Sequence, residues 1–333
     1  MKLSDFDYIL PKELIAQNPL KERDSSRLLI LNRADGSLSH GIFKEIASYF
    51  QPGDILVLND TKVEKCRLQG SRLSGGKAEV LLLNKKDGLT FEALIRPARV
   101  RLGEKLIFNS GSVSCEVTGR NEVNFCARDI KEIYNLGVMP LPPYIKRKAE
   151  DRDALTYQTV YAKNPGAVAS PTAGLHFTES LFQVLKAKGV QVEFITLHVG
   201  YATFKPVKCE DIKQHPMEYE RFEVNRDVFE RIKKARVDKR RVIAVGTTSM
   251  RVLETIDFDA PEPVLSGKTN LFIYPGYKFK NVDALITNFH LPHTTLLMLA
   301  SAFAGMDNIR KAYQEAIEKK YRFYSYGDAM LIQ

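Results

Sequence analysis

Apolar and polar positions follow three successive patterns along this chain, and each change of pattern marks a change of structure. Between Phe43 and Phe50 the apolar residues Phe43, Ile46, Ala47 and Phe50 fall at helical spacing, and the following "QPG" stops the helix. "DILVLND" (Asp54–Asp60) is a short, continuous apolar run, which predicts a buried strand. From about Lys62 to Lys148, short runs of valine, leucine and isoleucine alternate with turn signals at "SGG", "KDG", "NSG" and "GRN". That rhythm predicts a small antiparallel barrel or sandwich. The proline-rich "MPLPPY" and the charged "IKRKAEDRD" then close the segment. From about Thr156 the pattern becomes strand, loop, helix. "VQVEFITLHVG", "RVIAVGTTS" and "VDALITNFHLP" predict strands, and helical stretches follow "HFT" (Leu181, Leu185), "TTS" (Val252, Leu253, Ile256) and "HLPH".

Strands alternating with helices imply an α/β fold, with a mostly parallel sheet carrying helices on both faces. If Asp54–Asp60 joins that sheet, the small antiparallel β-barrel is an insertion. The expected organisation is 1–61 as the first part of the α/β domain, 62–148 as the inserted barrel and 149–333 as the main part. A length of 333 residues agrees with two domains at ~100–200 residues each.

Composition narrows the class. No secretory signal is expected in "MKLSDFDYIL", which has two aspartates and no apolar run. The most apolar helical stretch, Leu296–Ala304, has nine residues, too few to span a membrane. Cys66, Cys115, Cys126 and Cys209 are scattered without a CxxC pair, which argues against a disulfide framework or a metal site and suits the cytoplasm. The 49 basic and 40 acidic side chains leave a net charge of +9. Such an excess fits a polyanionic partner such as RNA, and equally a soluble surface.

Ligands of open α/β sheets lie beyond the carboxyl ends of strands, and four loops at such positions carry chemistry. In "ASPTAGLHFTESLF" Thr178 is placed to cap a helix running to about Lys188, with Gly189 ending it. Pro171 and Gly174 shape the backbone ahead of it, leaving Thr172 and His176 to face a ligand at the helix start. In "TLHVGYATFKPV" His198 ends a strand and Gly200 follows; imidazole titrates near neutrality and suits acid–base work. "VIAVGTTSMRVLE" runs a strand into Gly246, Thr247, Thr248 and Ser249, hydroxyls suited to ribose, carboxylate or phosphate; a helix cap accounts for one of the three. "ALITNFHLPHTTLL" supplies Asn288 and His290, while His293 is expected to be a surface residue. "QHPMEYE" adds His215, Glu218 and Glu220. These residues alone point to an α/β enzyme acting on a nucleoside-like or phosphorylated substrate.

Several blocks resemble a known family. "FDYILPKELIAQNPL", "GDILVLNDTKV", "GAVASPTAGLHFT", "TLHVGYATFKPV", "RVIAVGTTSMRVLE", "FIYPGYKFKNVDALITNFHLPHTTLLMLASAFAG" and "YRFYSYGDAMLI" are similar to the S-adenosylmethionine:tRNA ribosyltransferase-isomerases of queuosine biosynthesis, in order from about Phe6 to Ile332. The resemblance implies transfer and isomerisation of the ribosyl part of S-adenosylmethionine onto 7-aminomethyl-7-deazaguanine at the tRNA wobble position. The products are epoxyqueuosine-tRNA, adenine and methionine. It also implies an α/β domain with an inserted barrel, S-adenosylmethionine as co-substrate with no true cofactor, and tRNA as partner of a monomer.

On that footing the acid–base candidates are His176, His198, Glu220 and His290, with base and acid unassigned. Thr247, Thr248 and Ser249 are assigned to the methionine carboxylate or ribose, Asn59 and Asp60 to hydroxyl or amine contacts, and Tyr274 to base stacking. Thr172, Gly174, Thr178, Gly200, His215 and Asn288 complete the substrate-binding set, with Lys62. Three positions depart from the family pattern. Glu218 stands where a second histidine is common, Tyr201 and Ala202 where a smaller residue and glycine are usual, and Lys62 where arginine is common. A lysine offers a point charge rather than a bidentate fork. The basic stretches 96–105, 145–148 and 230–241 are the candidate tRNA surface. Two alternatives compete: a base-exchange tRNA transglycosylase, which would leave S-adenosylmethionine unconsumed, and a non-catalytic RNA-binding protein, which has no use for the histidine loops.

Overall fold

The computed structural model describes residues 1–201 and 206–333, so Ala202 lies outside the described residues. Strand β1 (Arg27–Leu31) turns back through Asp35 and Gly36 into antiparallel β2 (Leu38–Ile42). A 3-10 helix, Phe43–Tyr49, buries Phe43, Ile46 and Ala47, the apolar face expected there, and leads to the fully buried β3 (Ile55–Asn59). After β4 (Thr61–Val63) come β5 (Arg67–Arg72), β6 (Lys77–Lys85), β7 (Thr90–Arg96), β8 (Lys105–Phe108), β9 (Val113–Gly119) and β10 (Glu122–Cys126). These six are antiparallel neighbours and close on themselves, because β5 pairs with both β6 and β8. Helix α1 (Ile130–Asn135) and β11 (Gly137–Val138) return along β5, and α2 (Asp153–Thr156) precedes β12 (Asn164–Ala167), which pairs with β4.

The remaining elements are α3 (Glu179–Ala187), β13 (Gln191–Leu197), β14 (Glu220–Glu223), α4 (Arg226–Val237), β15 (Val242–Val245), α5 (Gly246–Thr255) and β16 (Ser266–Thr269). The chain ends its fold with β17 (Ala284–Asn288), α6 (Thr295–Ala304), α7 (Met306–Glu318) and β18 (Ala329–Ile332). Nine strands form one sheet in the order β16-β14-β13-β3-β15-β17-β18-β1-β2.

Only the block β13-β3-β15-β17 and the pair β18-β1 are parallel; the other four pairings are antiparallel. The sheet is therefore mixed, not mostly parallel as the sequence pattern suggested. The difference comes from connections. A parallel neighbour needs a helical crossover, whereas β2 follows β1 by a short turn, and β18 follows two successive helices and enters from the carboxyl end of β17.

Helices do lie on both faces, and alternation along each strand sorts its side chains between them. Leu29, Leu31, Ile55 and Val57 join the core under α4 to α7, which contribute Phe229, Ile232, Leu253, Met298 and Ile309. Leu28, Ile30, Leu56 and Leu58 pack on the other side against Phe43, Ile46, Leu181 and Leu185. The barrel encloses its own core around Phe91, Phe108 and Phe125. Among the described residues, no helix is long and apolar enough to cross a membrane.

Candidate active site

Because β3, β13, β15 and β17 run parallel, their carboxyl ends meet on one side of the sheet, the usual place for a ligand. Those ends carry Asn59–Asp60, His198–Gly200, Gly246–Ser249 and Asn288–His290. The amino ends of β18 and β1 reach the same side, bringing Ser325–Asp328 and Ser26. Ser26 has no counterpart among the residues expected from sequence.

His176 is fully engaged. Thr172 Oγ1 donates to Asn288 Oδ1 (3.0 Å), which turns the Asn288 amide N–H toward His176 Nε2 (3.0 Å). Nε2 therefore accepts, and Nδ1–H donates to Ser26 Oγ at 2.8 Å. The ring also lies against Phe43, with centroids 4.9 Å apart. Burial, with Arg322 nearby, pushes its pKa down to about 3. A neutral imidazole with both nitrogens occupied orients its neighbours; it has no free nitrogen for a proton transfer.

His198 has one nitrogen in use. Nδ1 bonds Thr61 Oγ1 at 2.9 Å, and among the described residues Nε2 has no protein partner. The ring stacks over Gly166, where an added Cβ would come within 3.0 Å of Nδ1. It opens onto a cleft of about 840 Å³ between the barrel, represented by Leu82, Asn84 and Glu92, and the sheet, represented by His198, Gly200 and Glu220. Burial and Arg221 lower the His198 pKa, while Asp60 and Glu223 oppose the shift. Asp60 is itself held by Thr196 Oγ1 (2.7 Å) and the Asn164 amide, and Asn59 spends its side chain on the backbone of Leu197 and Thr61. Both residues thus fasten β3 to its neighbours and fix the floor beneath His198.

Glu220 is 6% exposed; Oε1 accepts from Gly200 N–H (3.0 Å) and Oε2 from Arg251 Nη1. A buried carboxylate needs such partners to remain charged. Arg251, 5% exposed, also donates from Nε to Leu271 O (3.0 Å) and leaves Nη2 without a partner. Sequence reading passed over Arg251, although a charge between Met250, Val252 and Leu253 on a buried helix was a visible signal.

His290 is anchored through its backbone. Its N–H donates to Tyr313 Oη (2.9 Å), and its carbonyl accepts from Tyr8 Oη. Nε2 bonds Thr287 Oγ1 at 2.7 Å, leaving Nδ1 without a partner among the described residues. Burial pushes this histidine also down to about 3. It lines a cavity of about 60 Å³ with Ser170, Thr172, Asn288 and Tyr324. Ser170 Oγ and Tyr324 Oη are buried there without partners, and Tyr324 has φ 73, a left-handed conformation that costs a bulky residue energy.

Helix α5 starts one turn earlier than the triple-hydroxyl run suggested, at Gly246, whose φ is 83. No side chain caps it, and Thr248 Oγ1 and Ser249 Oγ are buried without partners. An uncapped helix start with two unpaired hydroxyls suits a carboxylate or phosphate.

Of the other expected residues, Thr178, Gly174, His215, Tyr274 and Lys62 line neither the His198 cleft nor the His290 cavity. Thr178 caps α3 by accepting from Leu181 N–H (3.2 Å), and it donates to Asp24. Gly174 is required by packing, since an added Cβ would fall 1.9 Å from Tyr161 Oη. His215 follows a 3-10 turn and lies edge-on to Phe272, whereas Glu220 opens β14, so the two share no helical face. Tyr274 packs on Phe272 at 5.1 Å, and Lys62 is exposed on β4. Within the basic stretches several arginines are already paired: Arg147 with Asp153, Arg231 with Glu193 and Arg241 with Asp54. Among the described residues no cluster of three or more His, Cys, Asp or Glu side chains is arranged to hold a metal ion.

Comparison with known proteins places this geometry. The sequence profile of the family described as "Queuosine biosynthesis protein" matches residues 3–332. The chain is 50% identical to the S-adenosylmethionine:tRNA ribosyltransferase-isomerase of Carboxydothermus hydrogenoformans and 51% identical to that of a Thermoanaerobacter species, covering 100% of both chains in each case. A crystal structure of the S-adenosylmethionine tRNA ribosyltransferase of Thermotoga maritima is 38% identical, with a TM-score of 0.58 over 99% of this chain and 100% of that one. The protein belongs to the queuosine biosynthesis protein family.

Proposed function

We propose that this protein is an S-adenosylmethionine:tRNA ribosyltransferase-isomerase. It transfers and isomerises the ribosyl group of S-adenosylmethionine onto 7-aminomethyl-7-deazaguanine in tRNA, giving epoxyqueuosine-tRNA, adenine and methionine. The observation that carries this reading is end-to-end identity of about half with relatives bearing that name. The strand-end residues supply what the reaction needs. The sulfonium acidifies the adjacent 5′ C–H for removal by a base, the neutral amine attacks the ribosyl group, a donor assists adenine as its glycosidic bond breaks, and methionine leaves as the 5′ C–S bond breaks.

Of the four acid–base candidates, His198 and His290 each keep a ring nitrogen without a partner among the described residues, and each lines a cavity. We assign the proton steps to these two. His176 and Glu220 are positioning residues, the first through Asn288 and the second through Arg251. The uncapped start of α5, with Thr248 and Ser249, is the seat for the methionine carboxylate. The tRNA enters along the cleft between barrel and sheet, which keeps 62–148 as the inserted unit and 1–61 with 149–333 as the catalytic one. The reading includes a monomer acting in the cytoplasm without a further cofactor; all four cysteines are free, as suits that compartment.

The test mixes purified protein with S-adenosylmethionine and tRNA carrying 7-aminomethyl-7-deazaguanine and follows adenine and methionine by mass spectrometry. Both products appear together only when that tRNA is present. Folded protein that releases neither removes the assignment.

A further inference from the structure

A second cavity, of about 70 Å³, has His176 in its wall together with Lys21, Arg23, Ser26, Arg322, Ser325 and further polar and apolar residues. Its volume exceeds the ~10–15 Å³ that one water needs, so a small polyatomic group fits. Three cationic side chains line it and no carboxylate does. Arg23 spends two N–H groups on carbonyl oxygens, Gln158 O and Leu155 O at 2.6 Å each, and has no carboxylate partner among the described residues. Arg322 is held by Asn18 O and Tyr326 O, with Asp328 at 3.7 Å as its one acidic neighbour. Asp328 in turn accepts from the backbone N–H groups of Arg27 and Arg322, which keeps it behind the wall of the cavity. Lys21 is exposed at the mouth.

Two anchored, partly buried guanidinium groups therefore face one carboxylate, Asp328, and the exposed Lys21 adds a further positive charge. Burial lowers the pKa of both arginines, and Asp328 partly opposes the shift at Arg322. Carbonyl anchors hold Arg23 in place without neutralising it, which preorganises it for an anion at little cost in side-chain entropy. The hydroxyls of Ser26 and Ser325 lie in the same wall.

We propose that this cavity is an oxyanion subsite that grips an anionic group of the substrate beside His176. The inference rests on the function proposed above and adds a subsite to it. The anion that fits is a phosphodiester flanking the modified nucleotide of the tRNA, since the methionine carboxylate is assigned to the start of α5. The assignment makes Lys21, Arg23 and Arg322 specificity residues. It also explains why Ser26, which accepts the Nδ1–H of His176, stands in the wall of a cationic cavity.

The test uses Lys21→Glu, which breaks no described contact, Arg23→Lys, which keeps charge but loses the planar fork, and Lys44→Glu as an equal charge change at an exposed site outside this cavity. Binding of tRNA is measured by filter retention across salt concentrations without turnover, and S-adenosylmethionine KM is measured separately. For a phosphodiester, Lys21→Glu weakens tRNA binding ~10-fold or more at low salt and lowers the salt slope by about one, Arg23→Lys weakens it less, and KM is unchanged. A KM that rises in both variants while tRNA binding holds would move the methionine carboxylate here from α5 and overturn the phosphodiester assignment. If Lys44→Glu matches Lys21→Glu, or if neither substrate responds to either cavity variant, the subsite is refuted. Because tRNA binding is read without chemistry, wild-type protein that binds but never releases adenine refutes the proposed function instead.

Discussion

The barrel and the nine-stranded sheet are both built from buried β-strands, yet they treat polar side chains in opposite ways. Between Arg67 and Cys126 every buried side chain is apolar or a cysteine, and the six strands close so that no hydrogen-bonding edge is left among them. The sheet collects Asn59, Asp60, Thr61, His176, Thr196, Glu220, Ser249, Asn288 and His290 as buried polar groups, nearly all at strand ends. Burying such groups is costly unless they are paired. Among the described residues the exceptions near the strand ends are Ser170, Thr248, Ser249, Tyr324 and one nitrogen of Arg251, with Tyr157, Thr159, Tyr161 and Arg240 also each leaving one buried polar atom unpaired. One unit is thus optimised for packing, while the other tolerates unsatisfied groups where a ligand is to come.

That contrast can be broken from the barrel side first. Phe108→Ala removes a ring 2% exposed from a closed core and is expected to cost about 3–5 kcal/mol in urea denaturation. Adenine release per folded molecule at saturating substrates should stay at the wild-type level; a lost chemical step would show that the barrel takes part in the reaction. On the sheet side, His198→Gln should lower kcat ~10²-fold, and His290→Gln similarly. His176→Gln should also slow turnover, but without moving the pH–rate profile, since its ring exchanges no proton. A changed profile in His176→Gln would restore it as an acid–base group.

A smaller effect is expected from acid. His176 and His290 are held near a pKa of about 3, below the ~6.5 of the unfolded chain. Above pH 6.5 both states are neutral and nothing is lost. As pH falls below 6.5 the unfolded chain binds protons that the folded one refuses, so stability declines toward pH 3, by about 2 kcal/mol per histidine at pH 5. Urea midpoints of His290→Gln between pH 7 and 5 should fall less than wild type; equal slopes would mean the ring is not held neutral. Smallest of all, Thr178→Ala removes the cap of α3 and should cost about 1 kcal/mol in the same assay, with KM unchanged.

The same contrast governs what the sequence disclosed. Local signals were legible: the Thr178 cap, the stop at Gly189 with φ 84, the turn rhythm of the barrel and the apolar face of Phe43–Tyr49. The four-residue strands "ERFE" and "SGKT" carry little apolar pattern, so the antiparallel edge they form escaped notice. The lock on His176 was beyond local reasoning, because Ser26 lies 150 residues away and Asn288 lies 112 away. Histidine-bearing loops could be found by type and position. Which ring nitrogens remain free depends on partners that only the fold brings together.

The place of β18 carries a consequence for biosynthesis. It is the strand made after all others described, yet it sits inside the sheet, between β17 and β1. A nascent chain can complete the barrel on the ribosome while the larger sheet still shows two unpaired edges at β17 and β1. Until β18 slots between them, Ser26 and Asn288 have no frame to hold them on either side of His176. Catalytic competence thus arrives late and at once, and a chain released before Ala329 would carry a finished barrel beside an unfinished site.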